Sequence, residues 1–430
     1  MSAHRAAAPF ILVTLLLDVL AFGLAIPVMP ELVRRLVGGD LDVAATWTGI
    51  LLAGFSLMQF LFAPVLGALS DRFGRRPVLL ASAIGTAVDH LIVAFSPTIW
   101  WLLAGRLLSG VTAASFTTCN AYIADVTPPE KRAKAFGMLG AAFGIGFVLG
   151  PLAGGLLGSI DPRLPFLAAA GLSFLSFLYG LFVLPESLRA EHRRAFSWRR
   201  ANPAGSLKAL ARHPVVKGLA AANVCNFLAF GALHSVWVLS TTARFGWGSF
   251  ENGLSLTTVG LATAFVQGAL VGPLVAKLGD KRALIAGAMT NAAAYAVYAL
   301  APAGWVFLSG IALGALGGIA GPALQGIISR IVGADEQGSI QGAMASLNSL
   351  TMIVAPMIGS TLLAVFSAPG APLHLPGMPF LFGAAMLVSA AGIAALTLRR
   401  GGGLPADDRD GGSGPLPVPD AVPATATARE

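Results

Sequence analysis

The feature that most constrains this chain is a series of apolar segments, each long enough to cross a membrane, separated by short polar breaks. A helix needs about 20 apolar residues to span the hydrocarbon core of a bilayer. Twelve segments have that length, at about residues 9–30, 46–69, 77–95, 98–122, 134–158, 164–184, 215–239, 252–276, 283–301, 303–327, 338–366 and 376–398. We therefore predict an all-α polytopic membrane protein with twelve transmembrane helices and both termini on one side.

The composition excludes a water-soluble fold. The chain is 56% hydrophobic and only 11% charged, whereas soluble proteins carry roughly 25% charged residues. Too little polar surface is available to cover a soluble particle of 430 residues.

The distribution of basic residues predicts the orientation in the membrane. Arg106 lies within a span, and the loops on one side hold only Arg34, Arg35, Arg163 and Arg244. The other Lys and Arg residues fall on the side of the termini, which the positive-inside rule assigns to the cytoplasm. We expect a bacterial inner-membrane protein with both termini cytoplasmic. The net charge of +8 then reflects topology and contact with anionic headgroups, and no nucleic-acid partner is expected.

The chain repeats itself at a distance of 205 residues. At this offset Gly67 aligns with Gly272, Gly74 with Gly279, Gly137 with Gly342, Pro151 with Pro356, and Gly154 with Gly359. The repeat predicts two six-helix bundles related by a duplication, with a substrate site between them near the midplane and transport by rocking. We place the N-terminal bundle at 1–184, a basic cytoplasmic linker at 185–214, the C-terminal bundle at 215–398 and a disordered cytoplasmic tail at 399–430.

Three ionisable residues lie inside predicted spans: Asp18, Asp89 and Arg106. An ionised side chain in hydrocarbon costs at least ~2.5–3.5 kcal/mol, so such residues face inward and usually have a function. A carboxylate between a fixed positive charge and an apolar environment can load and release a proton. We predict that these residues couple transport to protons. Asp18 could instead be a structural hydrogen-bond partner and Asp89 a solvated carboxylate, and the sequence leaves open which carboxylate neighbours Arg106. The aligned residues in the second half are neutral, namely Asn223, Ala294 and Ile311.

A glycine-rich basic loop follows the second span. We predict a cytoplasmic gate there, in which an ion-pair cluster closes the inner side, formed by Gly67, Asp71, Arg72, Gly74, Arg75, Arg76 and Asp125 at the end of the fourth span. The glycines permit a tight turn, and Asp71 can cap a helix or pair with Arg75. The competing interpretation is ordinary positive-inside charge.

The fifth span carries a glycine–proline motif, at Gly146, Gly150, Pro151, Gly154 and Gly155. Glycines make a groove for another helix, and proline removes a backbone donor and bends the helix. The motif predicts either a hinge for alternating access or a tightly packed helix face.

Several uncharged polar residues lie in or near spans, where lipid-facing amides are costly. As substrate-cavity candidates, or as hydrogen bonds between helices, we name Gln59, Asn120, Asn223, His234, Gln267, Asn291 and Gln325. We find no catalytic constellation and no metal-ligand pattern, and Cys119 and Cys225 lie in apolar stretches. We expect no enzyme activity, no resident metal and no cofactor.

The loop 67–76, the Gly105–Gly110 segment and the Gly146–Gly155 motif resemble signatures of the major facilitator superfamily. Leu16-Leu17-Asp18, Pro27-Val28-Met29-Pro30, Arg244-Phe245-Gly246-Trp247 and Pro322-Ala323-Leu324-Gln325-Gly326 are similar to segments of its tetracycline–proton antiporters. The resemblance covers about residues 8–398. It implies export of a magnesium–tetracycline chelate in exchange for a proton, by a monomer that uses the proton gradient and carries Mg²⁺ only with the substrate.

The resemblance also implies roles for single residues. Asp18, Asp89 and Arg106 match the family's intramembrane charges, Asp71, Arg75 and Asp125 its gate cluster, and Gln59 a polar cavity position. The chain departs from the family at Asn291, where the antiporters carry an aspartate, and at Thr263, where some carry a histidine. Export of other amphiphilic drugs or of a self-made metabolite therefore stays open. A non-transporting sensor on the same fold is a further reading, but it would typically carry a large cytoplasmic signalling domain.

Overall fold

The computed structural model describes residues 7–113, 115–128, 131–188, 191, 193, 210, 213–332, 336–368, 370–371 and 373–400. The described part of the chain is helical and contains no strand. Most of the predicted linker, and the tail beyond residue 400, lie outside the described residues.

We number the twelve spans α1 to α12. Their bounds are α1 Ala7–Ala25 with Met29–Leu36, α2 Leu41–Phe73, α3 Arg75–Ala94, α4 Ile99–Thr112 with Ser115–Val126, α5 Arg132–Ile160, α6 Leu164–Phe182, α7 Pro214–Phe245, α8 Ser249–Leu278, α9 Asp280–Leu300, α10 Gly304–Gly317 with Ala320–Ile331, α11 Gln337–Ser367 and α12 Met378–Arg400. Each corresponds to one predicted apolar segment, with bounds that differ by a few residues, and the chain is a multi-span membrane protein.

The first span differs from the uninterrupted helix expected over 9–30. Phe10–Ala25 and Met29–Leu36 meet at a bend of 42°, and only when they are counted as one span does the number reach twelve rather than eleven. Pro27 and Pro30 lie at this bend, and proline lacks the N–H that a continuous helix needs.

Two other expected helices are also irregular. In α4 and α10 the helix stops after Thr112 and Gly317 and resumes at Ser115 and Ala320. These breaks are 205 residues apart, so they occupy equivalent places in the two halves.

The duplication is visible in the backbone as well. Gly74 and Gly279, aligned by the 205-residue offset, precede α3 and α9 with φ of +108° and +74°. This φ range is unfavourable for residues with a Cβ, so both halves use glycine to turn from one span into the next. Within each half, α1 packs on α5 and α6, and α7 packs on α11 and α12.

The halves meet along two helix pairs, α2 with α11 and α5 with α8. We call the end where α1 begins and α12 ends the terminal face, and the other end the distal face. At the distal face the contacts are close, because a Cβ on Gly49 would strike Ser360 and one on Gly155 would lie 3.0 Å from the Cα of Gly253.

Toward the terminal face the same four helices separate. A Cβ would have open space at Gly67 on α2, at Gly137, Gly140 and Gly144 on α5, at Gly268 and Gly272 on α8, and at Gly338 on α11. The structure is therefore closed at the distal face and open between the halves at the terminal face.

Candidate functional site

The first element of the site is a buried ion pair. Arg106 on α4 pairs with Asp89 on α3, the residue that the sequence left undetermined. The Asp89 side chain is fully buried and that of Arg106 is 12% exposed. Gly105 makes room for the pair, because a Cβ there would lie 2.9 Å from Oδ1 of Asp89. Two opposite charges buried together avoid much of the penalty that each would incur alone.

The third intramembrane charge lies on a different interface. Asp18 on α1 is partly exposed, and its Oδ1 accepts a hydrogen bond of 2.9 Å from the hydroxyl of Ser176 on α6. Arg106 thus pairs with Asp89, whereas Asp18 lies beside a neutral hydroxyl donor. Sequence reasoning missed Ser176, since a serine in a membrane helix has many possible roles.

At the terminal face, the basic loop forms a compact cluster. The guanidinium of Arg75 contacts Asp71 at 2.6 Å and Asp125 at 3.0 Å, and donates to the Ser70 hydroxyl at 2.7 Å. The Arg75 side chain is only 11% exposed. Three of the residues predicted for the gate, Asp71, Arg75 and Asp125, are thus brought together.

The other residues predicted for the gate have separate contacts. Arg76 donates to the carbonyls of Gly180 and Leu181 at the end of α6. Arg72 lies over the ring of Phe73 at 5.0 Å. The contacts of Arg75 and Arg76 lie within the first half and are present while the terminal face is open. These contacts do not join the two halves.

Glu186 completes this cluster, although the sequence analysis did not single it out. Its carboxylate accepts hydrogen bonds from the backbone N–H groups of Arg75 at 2.8 Å and Arg76 at 3.2 Å. An anion at the first turn of a helix satisfies free N–H groups and the positive end of the helix dipole. Gly74 has no Cβ where the Glu186 carboxylate lies. An acidic residue just after the sixth span was the only signal available.

Ser187, which follows Glu186, extends the hydrogen-bond network around Arg75. Ser187 donates to the Asp125 carboxylate at 3.1 Å, and Tyr122 donates to the Pro185 carbonyl at 2.9 Å. The segment that leaves the first bundle is thereby joined to α3 and α4 at the terminal face.

The glycine–proline motif of α5 has two contact faces. Gly146, Gly150 and Gly154 pack on α1, where a Cβ on any of them would overlap Val19, Gly23 or Leu24. Gly155 instead packs on α8 of the other half. Pro151 stays inside one helix, Arg132–Ile160. The motif serves tight packing within the first half and distal closure between the halves.

Two of the polar candidates bind other amides between helices. Asn223 on α7 donates to Asn348 on α11 at 2.7 Å, and Gln341 on α11 donates to Gln325 on α10 at 2.7 Å. Asn223, with Asn226, also lines a small cavity among α7, α9, α10 and α12 that is otherwise apolar.

Three further candidates, His234, Gln59 and Asn120, lie on α7, α2 and α4. His234 stacks on Phe230 at a centroid distance of 5.7 Å. Gln59 on α2 is exposed, and Asn120 on α4 is partly buried.

Gln267 and Asn291 each contact a glycine at the break in α10. Gln267 lies in a π-helical segment of α8, Val266–Leu270, and donates to the Gly318 carbonyl at 3.4 Å. In a continuous helix that carbonyl would pair with residue 322, which is a proline and has no N–H. The side chain of Asn291 lies against Gly317, where a Cβ would come 2.7 Å from its Oδ1. The second half thus presents neutral amides and a freed carbonyl at mid-span.

Comparison with known proteins agrees with this architecture. A sequence profile of the Major Facilitator Superfamily matches residues 11–243 and 219–425. The chain is 42% identical over 391 residues to the class C tetracycline resistance protein of Escherichia coli, covering 91% of this chain and 96% of that one. It is 39% identical over 350 residues to the class B protein of Escherichia coli, covering 81% and 86%.

Its fold is similar to the crystal structure of the human organic anion transporter MFSD10 (TETRAN), with a TM-score of 0.66, 24% identity, and coverage of 93% of this chain and 99% of that one. The chain belongs to the major facilitator superfamily and, within it, to the family of the tetracycline resistance proteins.

Proposed function

We propose that this chain is a proton-coupled antiporter that exports tetracycline-like amphiphilic drugs across the bacterial inner membrane. The observation that carries the proposal is the similarity to tetracycline resistance proteins over nine-tenths of the chain, combined with intramembrane carboxylates in the first half. The chain acts as a monomer, and its energy source is the proton gradient.

Proton exchange is assigned to Asp18. Asp89 is already paired with the permanent positive charge of Arg106. Asp18 accepts a hydrogen bond from a neutral hydroxyl through Oδ1, and its Oδ2 is buried. Ser176 can accept a hydrogen bond from the protonated acid as readily as it donates to the carboxylate.

Drug movement follows from the two interfaces between the halves. With the terminal face in the cytoplasm, the open side admits drug from the cell interior, and the small-residue contacts at Gly49 and Gly155 close the outside. Rocking of one half against the other would open the distal face and close the terminal one. The lysine and arginine asymmetry of the loops supports this orientation.

Asn291 favours a second candidate substrate range. A carboxylate at this position would attract a cationic metal–drug complex, whereas an amide offers only hydrogen bonds. Export of uncharged or zwitterionic amphiphiles, including a self-made metabolite, is therefore the second candidate function. In either case Mg²⁺ would enter only as part of the transported complex.

The test uses everted membrane vesicles from a pump-deficient host. Energised vesicles containing this protein should accumulate tetracycline, release protons when drug is added, and lose both responses with a protonophore. Drug accumulation that survives the protonophore would refute proton coupling. If tetracycline does not accumulate but another amphiphile does, the second candidate replaces the first.

A further inference from the structure

The Arg75–Asp125 ion pair between α3 and α4 has a counterpart in the second half with its charges exchanged. At an offset of 205 residues, Arg75 aligns with Asp280 and Asp125 aligns with Arg330. Both pairs are formed in the structure, Arg75 with Asp125 and Asp280 with Arg330. At mid-span the second half has neutral residues at the aligned positions, whereas at the terminal face it keeps an ion pair of opposite polarity.

The two pairs differ in their relation to the helix dipoles. Arg75 is the first residue of α3, and Asp125 lies in the last turn of α4. A cation at a helix N-terminus and an anion at a C-terminus are both unfavourable. Asp280 lies in the first turn of α9 and Arg330 in the last turn of α10, where each sign is favourable.

The first-half pair also has more charged partners than the second-half pair. Arg75 contacts two carboxylates, and the N-terminus of α3 takes a third, from Glu186. Asp71, one of the two, aligns with the uncharged Ala276 in the second half. Among the described residues, Asp280 and Arg330 each form an ion pair only with the other. A cation with two anionic partners can exchange them, whereas a single pair on favourable helix ends has one preferred arrangement.

The position of the Asp280–Arg330 pair shows which helix segments it joins. Arg330 belongs to Ala320–Ile331, the segment of α10 that follows the break, and Asp280 belongs to the uninterrupted α9. The Asp280 carboxylate also lies beside Gly326 of that segment, where a Cβ would be 3.4 Å from its Oδ2. On the other side of the break, Gly310 packs on Tyr298 and Gly317 on Asn291, both on α9. Thus α9 is in contact with both segments of α10.

We infer that Asp280 and Arg330 are positioning residues for transport, which keep the terminal-face segment of α10 fixed to α9 throughout the cycle. The first-half cluster around Arg75 is the one that changes partners. The transport readouts below rest on the proposed function, whereas the labelling readout does not depend on any substrate.

The first experiment compares neutral and exchanged charges. Asp280→Asn and Arg330→Gln should each lower the maximal rate of tetracycline uptake by about two- to fivefold, the effect expected for a partly exposed ion pair, and leave the apparent KM unchanged. The double variant Asp280→Arg with Arg330→Asp should recover part of the rate. Recovery should be incomplete, because both charges then oppose the helix dipoles. A double variant no better than the worse single variant would contradict the pairing.

The second experiment asks whether the pair ever separates. Asp280→Cys and Arg330→Cys are combined in a background with Cys119→Ser and Cys225→Ser, and the introduced thiols are joined by a short bifunctional methanethiosulfonate, since the ion pair spans a long arginine side chain. The covalent link replaces the ion pair, so the cross-linked protein should transport faster than the reduced one. Cross-linking that stops transport, with recovery on reduction, would show that the pair must open and would overturn the inference. A Gly49→Cys with Ser360→Cys link between the halves should block transport and serves as the control.

The third readout separates this inference from the proposed function. Gly144→Cys, added to the cross-linkable protein, faces the opening between the halves and reports on its accessibility to a membrane-impermeant maleimide. Labelling at residue 144 is separated from labelling of the other introduced thiols by peptide mass mapping. Its rate should be the same with the link between positions 280 and 330 formed or reduced, and should change when the link between positions 49 and 360 is formed. If the link between positions 280 and 330 alters this labelling rate, the terminal-face segment of α10 does not stay fixed to α9, whatever the protein transports.

Discussion

Asp89 on α3 pairs with Arg106 on the segment of α4 that precedes its break, and the carboxylate is completely buried. Arg75 and Asp125 pair on the far side of the same break. The uninterrupted α3 therefore contacts both segments of α4 through charges, as α9 contacts both segments of α10. In the second half the contact before the break is aromatic and lies near the distal end, with Tyr298 against Phe307 at 4.8 Å. Both halves brace a broken helix against its neighbour, and only the first does so with a buried charge.

The first prediction concerns this buried pair. Arg106→Gln leaves the Asp89 carboxylate without its counter-charge, and removal of one partner from a buried pair costs about 3–5 kcal/mol. The double variant Asp89→Asn with Arg106→Gln removes both charges and should regain most of that stability. Thermal unfolding in detergent measures the effect. A double variant as unstable as the single one would show that the pair is not the source of the loss.

The second prediction concerns Asp18. Asp18→Asn cannot carry a proton but keeps the size of the side chain and its hydrogen bond to Ser176. We expect drug-driven proton release from everted vesicles to disappear while the protein still inserts. Ser176→Ala is the matched control, because it removes the hydroxyl and keeps the carboxylate, and should retain coupling at a reduced rate. Unchanged proton release in Asp18→Asn would remove this residue from the mechanism.

The third prediction separates binding from cycling at the terminal face. Asp71→Asn and Arg75→Ala disturb a cluster within the first half, away from the midplane, so turnover should fall by about tenfold or more while equilibrium drug binding stays within about twofold. Arg72→Ala is the control, since Arg72 stacks on Phe73 outside the Arg75 contacts. Weak binding with normal turnover per bound drug would contradict a role in cycling.

Much of this architecture could be predicted from the sequence, because the bilayer imposes a length and a polarity on every span. The twelve segments and their order follow from that constraint, and the 205-residue repeat follows from the aligned glycines and prolines. The partner of Arg106 could not be predicted, since both Asp18 and Asp89 were possible and only helix packing decides between them. The contact of Glu186 with the first turn of α3 joins residues 111 positions apart, and no local pattern reports it.

The breaks in α4 and α10 were missed for a related reason. Hydropathy is continuous across both, and the glycines and Pro322 in α10 resemble the many that membrane helices tolerate. The breaks show in the backbone of the structure, where the N–H groups of Ala113, Gly318 and Ile319 bond to carbonyls three residues back instead of four.

The fourth prediction uses two glycines on one face of α5. Gly155 touches α8 at the closed distal face, whereas Gly144 has open space beside it. Gly155→Leu should disfavour distal closure, and Gly144→Leu should disfavour closure at the terminal face. Overpacking costs about 1–3 kcal/mol, so each should shift the conformational equilibrium about tenfold, in opposite directions. Thiol accessibility at a cysteine in the cavity measures the shift, and a shift of the same sign in both variants would contradict the two-face arrangement.

The last prediction concerns Asn291, which lies against Gly317 near the break in α10. The amide offers no charge to a magnesium–tetracycline cation and cannot carry a proton. We expect the native protein to show weak dependence on Mg²⁺, and Asn291→Asp to strengthen magnesium-dependent tetracycline uptake into energised everted vesicles. Exchange of one proton for one monocation remains electroneutral, so transport itself need not fail in either protein. Thr290→Asp is the control, because it adds the same charge one position away on α9, and should not reproduce the gain. If the native protein already takes up tetracycline in a strongly magnesium-dependent manner and the aspartate adds nothing, the charge at this position is dispensable and the prediction is wrong.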